Sequence, residues 1–491
     1  MTDLSAIADA ALAANGFTTL VDDAMRRELA GLQPAAMPPG VRDLRTLLWS
    51  SIDNAASRDL DQVEFAELLP DGSIRLRVGI ADVDALVPRG SAIDRHAMAN
   101  ATSVYTGMAV YPMLPAQLST DLTSLNEGAE RLVIVIELVV GADGVVRAHD
   151  VYRAIAVNRA KLAYDAVGRW LEGDGTVPPQ VAALRGLEEQ LWMQDRAAGL
   201  LKTMRARAGA LEFDTIEATA TGKDGRVETI SVTRKNRARN LIEDFMVASN
   251  VAIAQYLAEQ GRSAIRRVVR VPKRWNRIVA IAAGFGATLP AEPDAKALSS
   301  FLGTRRAADP LRFPDLSLSI VKLLGPGEYA LDLPGAADDE GHFGLAANDY
   351  SHATAPNRRY ADLVTQRLVK AAIAGAPAPY SNEELAAIAQ QCTERENAAN
   401  RVERVARKSA AAILLGGRIG SVFDAIVTGV NGDGTYVRLL SPPAEGRVIR
   451  GEKGMDVGER VTVKLVSTDP VRGFIDFEGV PAGTGAARGS G

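Results

Sequence analysis

The most informative stretch of the chain is Ser51-Ile-Asp53-Asn-Ala-Ala-Ser-Arg58-Asp59-Leu-Asp61-Gln62, which leads into an apolar segment and carries three carboxylates within nine residues. Ionised carboxylates repel one another and are costly to bury unpaired, so we expect a cation beside them. Asp59 and Asp61 have the i, i+2 spacing that aims two oxygen atoms to one side of an extended segment, and Asp53 closes on them if the residues between form a loop. Oxygen-only ligation favours a hard ion, magnesium or manganese.

A solvated acidic turn is an equally good interpretation from spacing alone, since Asp-x-Asp pairs are common by chance. Other chemical signatures are absent from the sequence, which has no Walker loop, no H-E-x-x-H, no G-x-S-x-G and no cysteine pair. Metal-assisted phosphoryl chemistry is therefore the leading hypothesis for a catalytic function.

The sequence around this stretch is typical of an antiparallel sheet covered by helices. Apolar residues alternate with polar or small ones over Ile74–Ile80, and Asp-Gly pairs at 71–72, 143–144 and 224–225 indicate hairpin turns. Residues 4–32 are rich in Ala and Leu at helical spacing. Further helices are predicted over 241–259, over 360–374 and from the capping box of Ser381 and Glu384 to the stop at Gly416 and Gly417.

The last part of the chain has a different pattern. Between Gly420 and Val480, short alternating runs are separated by Gly-Asp-Gly and Pro-Pro turns, and about five strands in this length predict an OB-like barrel. The fold class is therefore α+β. Its predicted parts are a helical N-terminal module (1–40), a catalytic domain (41–416), the barrel (419–480) and a flexible Gly-rich tail (481–491).

Length and composition exclude several classes of protein. With 491 residues, 47% of them hydrophobic and 24% charged, the chain is globular rather than collagen-like, coiled-coil or largely disordered. The single cysteine, Cys392, fits a reducing compartment. No secretory signal is recognisable, and the most apolar run, Leu132–Val140, is too short for a membrane helix. We expect a cytoplasmic protein that does not enter the membrane.

The charged residues are unevenly distributed. The net charge of −4 argues against a uniformly basic nucleic-acid binder. However, Arg262–Arg277 carries seven basic residues and no acid, and four more basic residues lie in 234–239. Charge alone leaves two interpretations open, a path for a polyanion and the solvated surfaces of an Arg-rich protein.

A series of short motifs follows a fixed order along the chain. They are Ile52–Gln62, Val78–Val83, Thr102–Tyr105, Pro112–Pro115, Leu118–Ser119, Ser124–Asn126, Ala160–Tyr164, Leu241–Met246 with Asn250, and His352–Leu363. Together they resemble the ribonuclease II and RNase R exoribonucleases, whose catalytic part is the RNB domain, over roughly residues 44–415. The C-terminal segment is similar to the S1-type OB-fold RNA-binding domain that follows the catalytic domain in that family.

The resemblance implies a monomeric, processive 3′-to-5′ exoribonuclease that hydrolyses single-stranded RNA to nucleoside 5′-monophosphates with magnesium. Two ions would activate water and stabilise the leaving oxygen. The matched positions carry over three sets of roles: Asp59, Asp61 and Arg358 in catalysis; Asp53, Asp59, Asp61 and Gln62 in metal binding; Tyr105, Tyr164, Phe213, Glu243, Arg359 and Glu403 in substrate binding.

These substrate roles have physical reasons and simpler alternatives. Tyr105 and Phe213 would stack on bases, while Tyr164 and Glu243 would contact the 2′-hydroxyl that distinguishes RNA from DNA. The alternatives are core packing for the two aromatic residues, a surface charge for Arg358 and a helix-surface salt bridge for Glu403. Candidates for an RNA-binding face of the barrel are Phe423, Tyr436, Arg438 and Lys464, with barrel core as the alternative for Phe423.

The sequence also departs from the family. Gln62 stands where a fourth aspartate is usual, which should weaken the hold on a divalent ion, and Asp82 is a fallback ligand if Gln62 does not face the metal. Residues 1–40 are too short and too helical for the cold-shock domains common in the family, so we expect a more open approach to the catalytic channel. His352 is expected to be structural. A second hypothesis is therefore an RNA-binding protein with a degenerate nuclease centre.

Overall fold

The computed structural model describes residues 3–214, 217–223, 226–233, 235–335, 341–432 and 434–480. The predicted tail (481–491) and the Asp-Gly pair at 224–225 lie outside these residues. The α-helices are α1 (Leu4–Ala14), α2 (Asp23–Gly31), α3 (Ala92–Asn100), α4 (Tyr164–Leu171), α5 (Pro179–Ala182), α6 (Leu187–Ala208), α7 (Arg237–Glu259), α8 (Trp275–Gly284), α9 (Ala295–Ala308), α10 (Phe313–Leu324), α11 (Tyr360–Ile373) and α12 (Asn382–Leu415).

The strands form one large sheet, a barrel and three two-stranded pairs. They are β1 (Arg42–Asp43), β2 (Ser50–Asp53), β3 (Gln62–Leu68), β4 (Ile74–Ala81), β5 (Val104–Tyr105), β6 (Val110–Tyr111), β7 (Glu130–Val140), β8 (Val146–Val157), β9 (Ala160–Ala163), β10 (Glu217–Lys223), β11 (Arg226–Thr233), β12 (Ala264–Val268), β13 (Glu328–Asp332), β14 (Val422–Asn431), β15 (Gly434–Leu439), β16 (Glu445–Arg450), β17 (Arg460–Asp469) and β18 (Phe474–Gly479).

The large sheet has seven strands in the order β1-β8-β7-β4-β3-β2-β9. Most neighbours are antiparallel, while β1 with β8 and β2 with β9 are parallel. The alternating apolar residues of β4 are at most 1% exposed, because α6 and α7 pack over the sheet. The prediction of a helix-covered, largely antiparallel sheet is confirmed, and with it the α+β class.

The predicted helices are present. Ser381 Oγ accepts from the backbone N–H of Glu384, and Glu384 Oε2 accepts from that of Ser381 at 2.8 Å, so the capping box begins α12 as predicted. α7 begins four residues earlier than expected, because Asn236 caps it by accepting from the backbone N–H of Arg239 at 2.9 Å. Within the described ranges, no helix is long and apolar enough to cross a membrane.

β14 to β18 form a closed barrel in the order β14-β15-β16-β18-β17, which confirms the predicted OB-like barrel. Phe423 is only 5% exposed and belongs to the barrel core, so its interpretation as an RNA-facing residue is wrong. Arg438 pairs with Asp315 of α10 at 2.6 Å, whereas Lys464 is exposed. Of the barrel candidates, Arg438 thus holds the barrel against the helices instead of facing open solvent.

The N-terminal helices are distributed over three hydrophobic clusters. Leu4 packs with the barrel and the end of α12. Leu12 packs with Val104 of β5 and with Val402 of α12. Met25 belongs to the main core under the sheet. The N-terminal segment therefore connects parts of the chain that are distant in sequence.

Part of the Arg-rich segment 262–277 is engaged in ion pairs within the protein. Arg266 pairs with Asp332 at 2.7 Å, and Arg267 binds Glu396 through two nitrogens at 2.7 Å. Arg270 pairs with Glu328. Arg266, Arg267 and Arg270 are thus neutralised by acids from β13 and α12. Lys273, Arg274 and Arg277 are exposed, and for them the two interpretations stay predictions.

Candidate active site

The acidic stretch forms the loop between β2 and β3. β2 ends at Asp53, and β3 begins at Gln62. Asp53 Oδ1 accepts hydrogen bonds from the backbone N–H of Asn54 at 2.6 Å and from Ser57 Oγ at 2.9 Å. The loop that the sequence predicts is present, and one oxygen of Asp53 stabilises it.

Asp61 lies at the centre of the site and pairs with Arg358. Its side chain is buried, and its Oδ1 accepts from the backbone N–H of Asn357 at 3.1 Å. Its Oδ2 lies 3.1 Å from Nε of Arg358, whose side chain is 42% exposed. Arg358 therefore supplies a cation to the acidic cluster and still faces solvent, where a phosphate would approach.

Burial strongly affects the pKa values of Asp61 and Arg358. It raises the pKa of Asp61 from 3.8 to about 7, although Arg358 and the hydrogen bond from Asn357 lower it. Burial alone would lower the pKa of Arg358, but Asp61, Tyr105 and Asp53 together outweigh burial and raise that pKa. Arg358 is therefore a permanent cation, as electrostatic stabilisation of a phosphate requires.

A tight turn before α11 holds Arg358 in place. Arg359 Nε and Nη2 both donate to the carboxylate of Asp362 at 2.7 Å, and Asp362 Oδ1 also accepts from the backbone N–H of Ala355 at 2.8 Å. The guanidinium of Arg359 is thus bound within the protein. Its substrate contact stays a prediction.

Tyr105 presents an aromatic ring at the edge of the site. It ends β5, its side chain is partly exposed, and its hydroxyl lies 3.4 Å from Asp59 Oδ2 as a donor. Its backbone N–H donates to Glu403 Oε1 of α12 at 2.9 Å. Desolvation of the hydroxyl, opposed by Arg358, raises the pKa of Tyr105 to about 12. Glu403 is thus neither a simple helix-surface salt bridge nor, in this structure, a free side chain, because it holds the strand that carries Tyr105.

A cavity of about 270 Å³ adjoins these residues. Its lining includes Tyr105, Arg358, Arg359, Glu403 and Asn400. With Tyr329 and Glu396, the lining has two tyrosine rings, two guanidinium groups and two carboxylates, and its rings and guanidinium groups suit a nucleotide with its phosphate.

Tyr164 lies within electrostatic reach of Arg358. It is the first residue of α4, and the guanidinium of Arg239 lies over its ring at 4.4 Å from the centroid. Arg239 Nη2 also donates to Asn54 Oδ1 at 2.9 Å and so holds the loop between β2 and β3. Burial raises the pKa of Tyr164, the charge of Asp53 raises it further, and Arg358 lowers it. The charge of Arg358 therefore acts on both predicted tyrosines.

Phe213 and Glu243 line a different cavity, of about 550 Å³. Glu243 Oε2 pairs with Lys235 Nζ at 2.6 Å, and Phe213 packs partly against the helical cluster of α8 to α10. Lys202 and Arg306 also line this cavity, but both pair with Glu212, and the lining has as many acidic as basic side chains, so it carries no excess positive charge. The structure brings these two predicted residues together, but it separates them from the cavity at Tyr105.

The four predicted metal ligands are not gathered around one point. Within the described ranges, no three His, Cys, Asp or Glu side chains lie close enough to share an ion. The donor set consists of oxygen atoms, which suit a hard cation, and Asp61 Oδ2 is already paired with Arg358 Nε at 3.1 Å. Asp53, Asp59, Asp61 and Gln62 as ligands therefore stay a prediction.

Asp82 is wrong as a fallback ligand. Its Oδ1 pairs with Lys370 Nζ at 2.8 Å, and its Oδ2 lies 3.3 Å from Arg153 Nη2. Both oxygens are therefore neutralised by cations away from the acidic loop. His352 is structural as expected, since Tyr329 Oη lies 2.9 Å from its Nδ1 and α12 covers this region.

Sequence reasoning missed three residues. Arg239 stacks on Tyr164 from α7, and the only signal was its place in a basic run. The sequence gave no sign that Glu403 binds the backbone of Tyr105, because the two residues are 298 positions apart. Glu64 is a fully buried acid on β3, and an acid at an inward position of an apolar strand was a readable signal.

Comparison with known proteins defines the class. The RNB domain matches residues 41–375, and the RNase II-type exonuclease C-terminal S1 domain matches residues 421–480. Because the first match covers more than half of the sequence, the chain belongs to the RNB family. The resemblance found in the motifs is thereby confirmed.

Among individual proteins, the chain is similar to ribonuclease R of Escherichia coli strain K12. The two are 30% identical over 450 residues, which make up 88% of this chain and 54% of the relative. The chain spans about half the length of the curated relatives it matches.

The fold is shared with solved structures. Mycoplasma genitalium RNase R in complex with ribose methylated single-stranded RNA matches with a TM-score of 0.86 and 22% identity, over 97% of this chain and 78% of that one. Yeast Ssd1, a pseudonuclease, matches with a TM-score of 0.71 and 17% identity, over 90% of this chain and 55% of that one. The fold is thus common to a nuclease and a pseudonuclease, so activity must be argued from the site.

Proposed function

We propose that the protein is a processive 3′-to-5′ exoribonuclease that hydrolyses single-stranded RNA to nucleoside 5′-monophosphates. The observation that carries this proposal is the pair of buried Asp61 and half-exposed Arg358, which shares a cavity with Tyr105. A phosphodiester needs a fixed cation, and unstacked bases need aromatic faces, at about 1–3 kcal/mol per base. The site offers both within one opening.

The chain's own residues divide the work. Arg358 would leave Asp61 and bind an oxygen of the scissile phosphate. The positive charge of Arg358 thus stays paired while the phosphate binds. Tyr105 would stack on a base at the 3′ end, and Glu403 would hold the strand that carries it. Phe213 and Glu243 would contact the strand further away, in the larger cavity.

The family is metal-dependent, and we propose magnesium, with manganese as the alternative, held by Asp53, Asp59, Asp61 and Gln62. Such an ion, when bound, lowers the pKa of water and stabilises the leaving oxygen. Within this proposal the enzyme is a cytoplasmic monomer, and its partner is single-stranded RNA.

The test is a 5′-labelled single-stranded RNA incubated with magnesium. The wild type should give shortening products, and Asp61→Asn should reduce turnover by about 100-fold or more while RNA affinity is kept, because an amide supplies no anionic oxygen. Asp71→Asn, the same change in an exposed turn, is the control and should act like the wild type.

Intact RNA that is retarded in a gel by the wild type would instead support an RNA-binding protein with a degenerate nuclease centre. Full turnover by Asp61→Asn would remove Asp61 from the mechanism.

A further inference from the structure

Asn400 of α12 is a polar residue of the cavity beside Tyr105 to which the proposed reaction gives no role. It is exposed, it lines this cavity, and it lies one helical turn before Glu403. Glu396, Asn400 and Glu403 follow one another at spacings of four and three residues, which places them on one face of the helix. This face of α12 therefore forms a polar wall of the cavity.

The two glutamates of this wall are engaged within the protein. The two oxygens of Glu396 accept from two nitrogens of Arg267, both at 2.7 Å. Glu403 Oε1 accepts from the backbone N–H of Tyr105 at 2.9 Å. Each carboxylate thus holds another part of the chain in place, and a substrate would have to compete with these contacts.

Other polar side chains around the cavity are held in the same way. Tyr329 Oη lies 2.9 Å from Nδ1 of His352, and Ser103 Oγ accepts from the backbone N–H of Met113 at 2.9 Å. Among the described residues that line the cavity, Asn400 is the polar side chain without a hydrogen bond or ion pair to the protein. Its amide is therefore available to a bound molecule.

An amide at this place offers both kinds of hydrogen bond. Its oxygen accepts and its nitrogen donates, and a ribose hydroxyl group can do both as well. The cavity already provides the ring of Tyr105 for a base and the guanidinium of Arg358 for a phosphate. Tyr164 and Glu243, the predicted contacts to the 2′-hydroxyl, do not line this cavity. The sugar of a nucleotide bound here thus still needs a partner.

We propose that Asn400 hydrogen-bonds the 2′-hydroxyl of the nucleotide that stacks on Tyr105, and so helps the site to distinguish RNA from DNA. This inference rests on the proposed function, because it requires a nucleotide in the cavity. The alternative target of the amide is a base edge, which would make binding depend on the sequence. An exonuclease that shortens RNA of any sequence needs contacts that all four nucleotides share, and this favours the ribose.

The test is the affinity for a labelled single-stranded RNA, measured by fluorescence anisotropy on the full chain with a chelator, so that no RNA is hydrolysed. RNAs with a single 2′-deoxy nucleotide, moved through the positions near the 3′ end, are compared with the all-ribose strand. At one position the wild type should lose affinity by roughly 2–10-fold, the effect of one hydrogen bond. Asn400→Ala should bind the all-ribose strand more weakly by a similar factor and lose nothing further at that position.

Asn397→Ala is the matched control, because it removes the same side chain from the same helix outside the lining of the cavity, and it should bind like the wild type. The inference is wrong if Asn397→Ala shows the same loss, or if Asn400→Ala keeps the 2′-deoxy sensitivity of the wild type at every position. It is also wrong if the loss in Asn400→Ala follows the base and not the sugar, or if no 2′-deoxy position affects the wild type.

The same measurements separate this inference from the proposed function. If the wild type binds and shortens RNA while Asn400→Ala is unaffected, only the role of Asn400 is contradicted. If the wild type neither binds nor shortens RNA, the proposed function is contradicted as well.

Discussion

Single residues in this site are held by other residues, and Glu403 is the clearest case. Its Oε1 accepts from the backbone N–H of Tyr105, so it fixes the strand from which the ring projects. A hydrogen bond to a charged group is worth about 1.5–3 kcal/mol, enough to decide where a two-residue strand lies. Glu403 thus has a positioning role that does not require contact with RNA.

Glu403→Ala should lengthen the shortest end product, because short RNAs have few contacts besides Tyr105, whereas the initial rate on long RNA should change by no more than about twofold. Glu403→Gln should act like the wild type, since an amide oxygen accepts the same hydrogen bond. Product lengths on a denaturing gel of 5′-labelled RNA provide the measurement. If Glu403→Gln stops as early as Glu403→Ala, the charge of Glu403 contacts the substrate.

At this scale the sequence was informative about residue types and uninformative about distances. The motifs identified Asp61 and Arg358, but their pairing depends on a contact between segments about 300 residues apart, with 296 residues between Asp61 and Asn357. The sequence could not show that the predicted metal ligands stay apart, because the oxygens of Asp53 and Asp61 form hydrogen bonds or ion pairs that only the fold reveals.

Elements with local signals were predicted well. The capping box fixed the start of α12, and alternation identified β4, because both patterns reside within a few residues. The order of the seven strands was not predictable, since β2 pairs with β9 over more than one hundred residues. The extra turn of α7 was missed because Asn236, a good cap, precedes a charged and not an apolar residue.

The stabilisation around a short 3₁₀ turn over Phe343–Leu345 depends on pH. His342 caps it, with its Nδ1 accepting from the backbone N–H of Leu345 at 3.1 Å, and its ring packs on Tyr350. Burial, helped by Arg267, lowers the pKa of His342 from 6.5 to about 4. Between these values the unfolded chain takes up a proton that the folded protein does not, so stability is lost as the pH falls from 6.5 towards 4.

His342→Asn removes this proton uptake and keeps a capping oxygen. Between pH 7.5 and pH 4.5, the variant should lose less free energy of unfolding than the wild type, by about 2–3 kcal/mol. Urea denaturation at the two pH values measures this difference. Equal losses in the two proteins would mean that His342 is protonated as readily in the folded state as in the unfolded one.

On the scale of the whole molecule, α1 joins the barrel end of α12 to the strand that carries Tyr105. Leu4 contributes to the cluster of the barrel, and Leu12 to the cluster with Val104. Asp9 also accepts from Tyr111 Oη of β6 at 2.8 Å. The sequence predicted this helix, but it gave no indication of what the helix packs against.

Leu12→Ala should reduce stability by about 2–5 kcal/mol, because it leaves a new cavity in the core. It should also lengthen the shortest RNA product, because this new cavity lies beneath β5, the strand that carries Tyr105. Leu4→Ala is the matched control, a buried leucine on the same helix that faces the barrel, and it should reduce stability without changing product length. Thermal melting and end-product analysis of both variants provide the comparison. If Leu12→Ala gives the same shortest product as the wild type, α1 does not support the site.

The packing of α1 on α12 also determines the order of events during synthesis. Arg395 Nη1 donates to the backbone oxygen of Asn15, a contact that spans 380 residues. At about 5–20 residues per second, a ribosome needs roughly 20–75 s to make that interval. During this time α1 can pack on Val104 and Tyr111 but lacks its partners on α12, so part of its apolar side stays exposed, and nascent chains should bind chaperones through it until α12 has emerged.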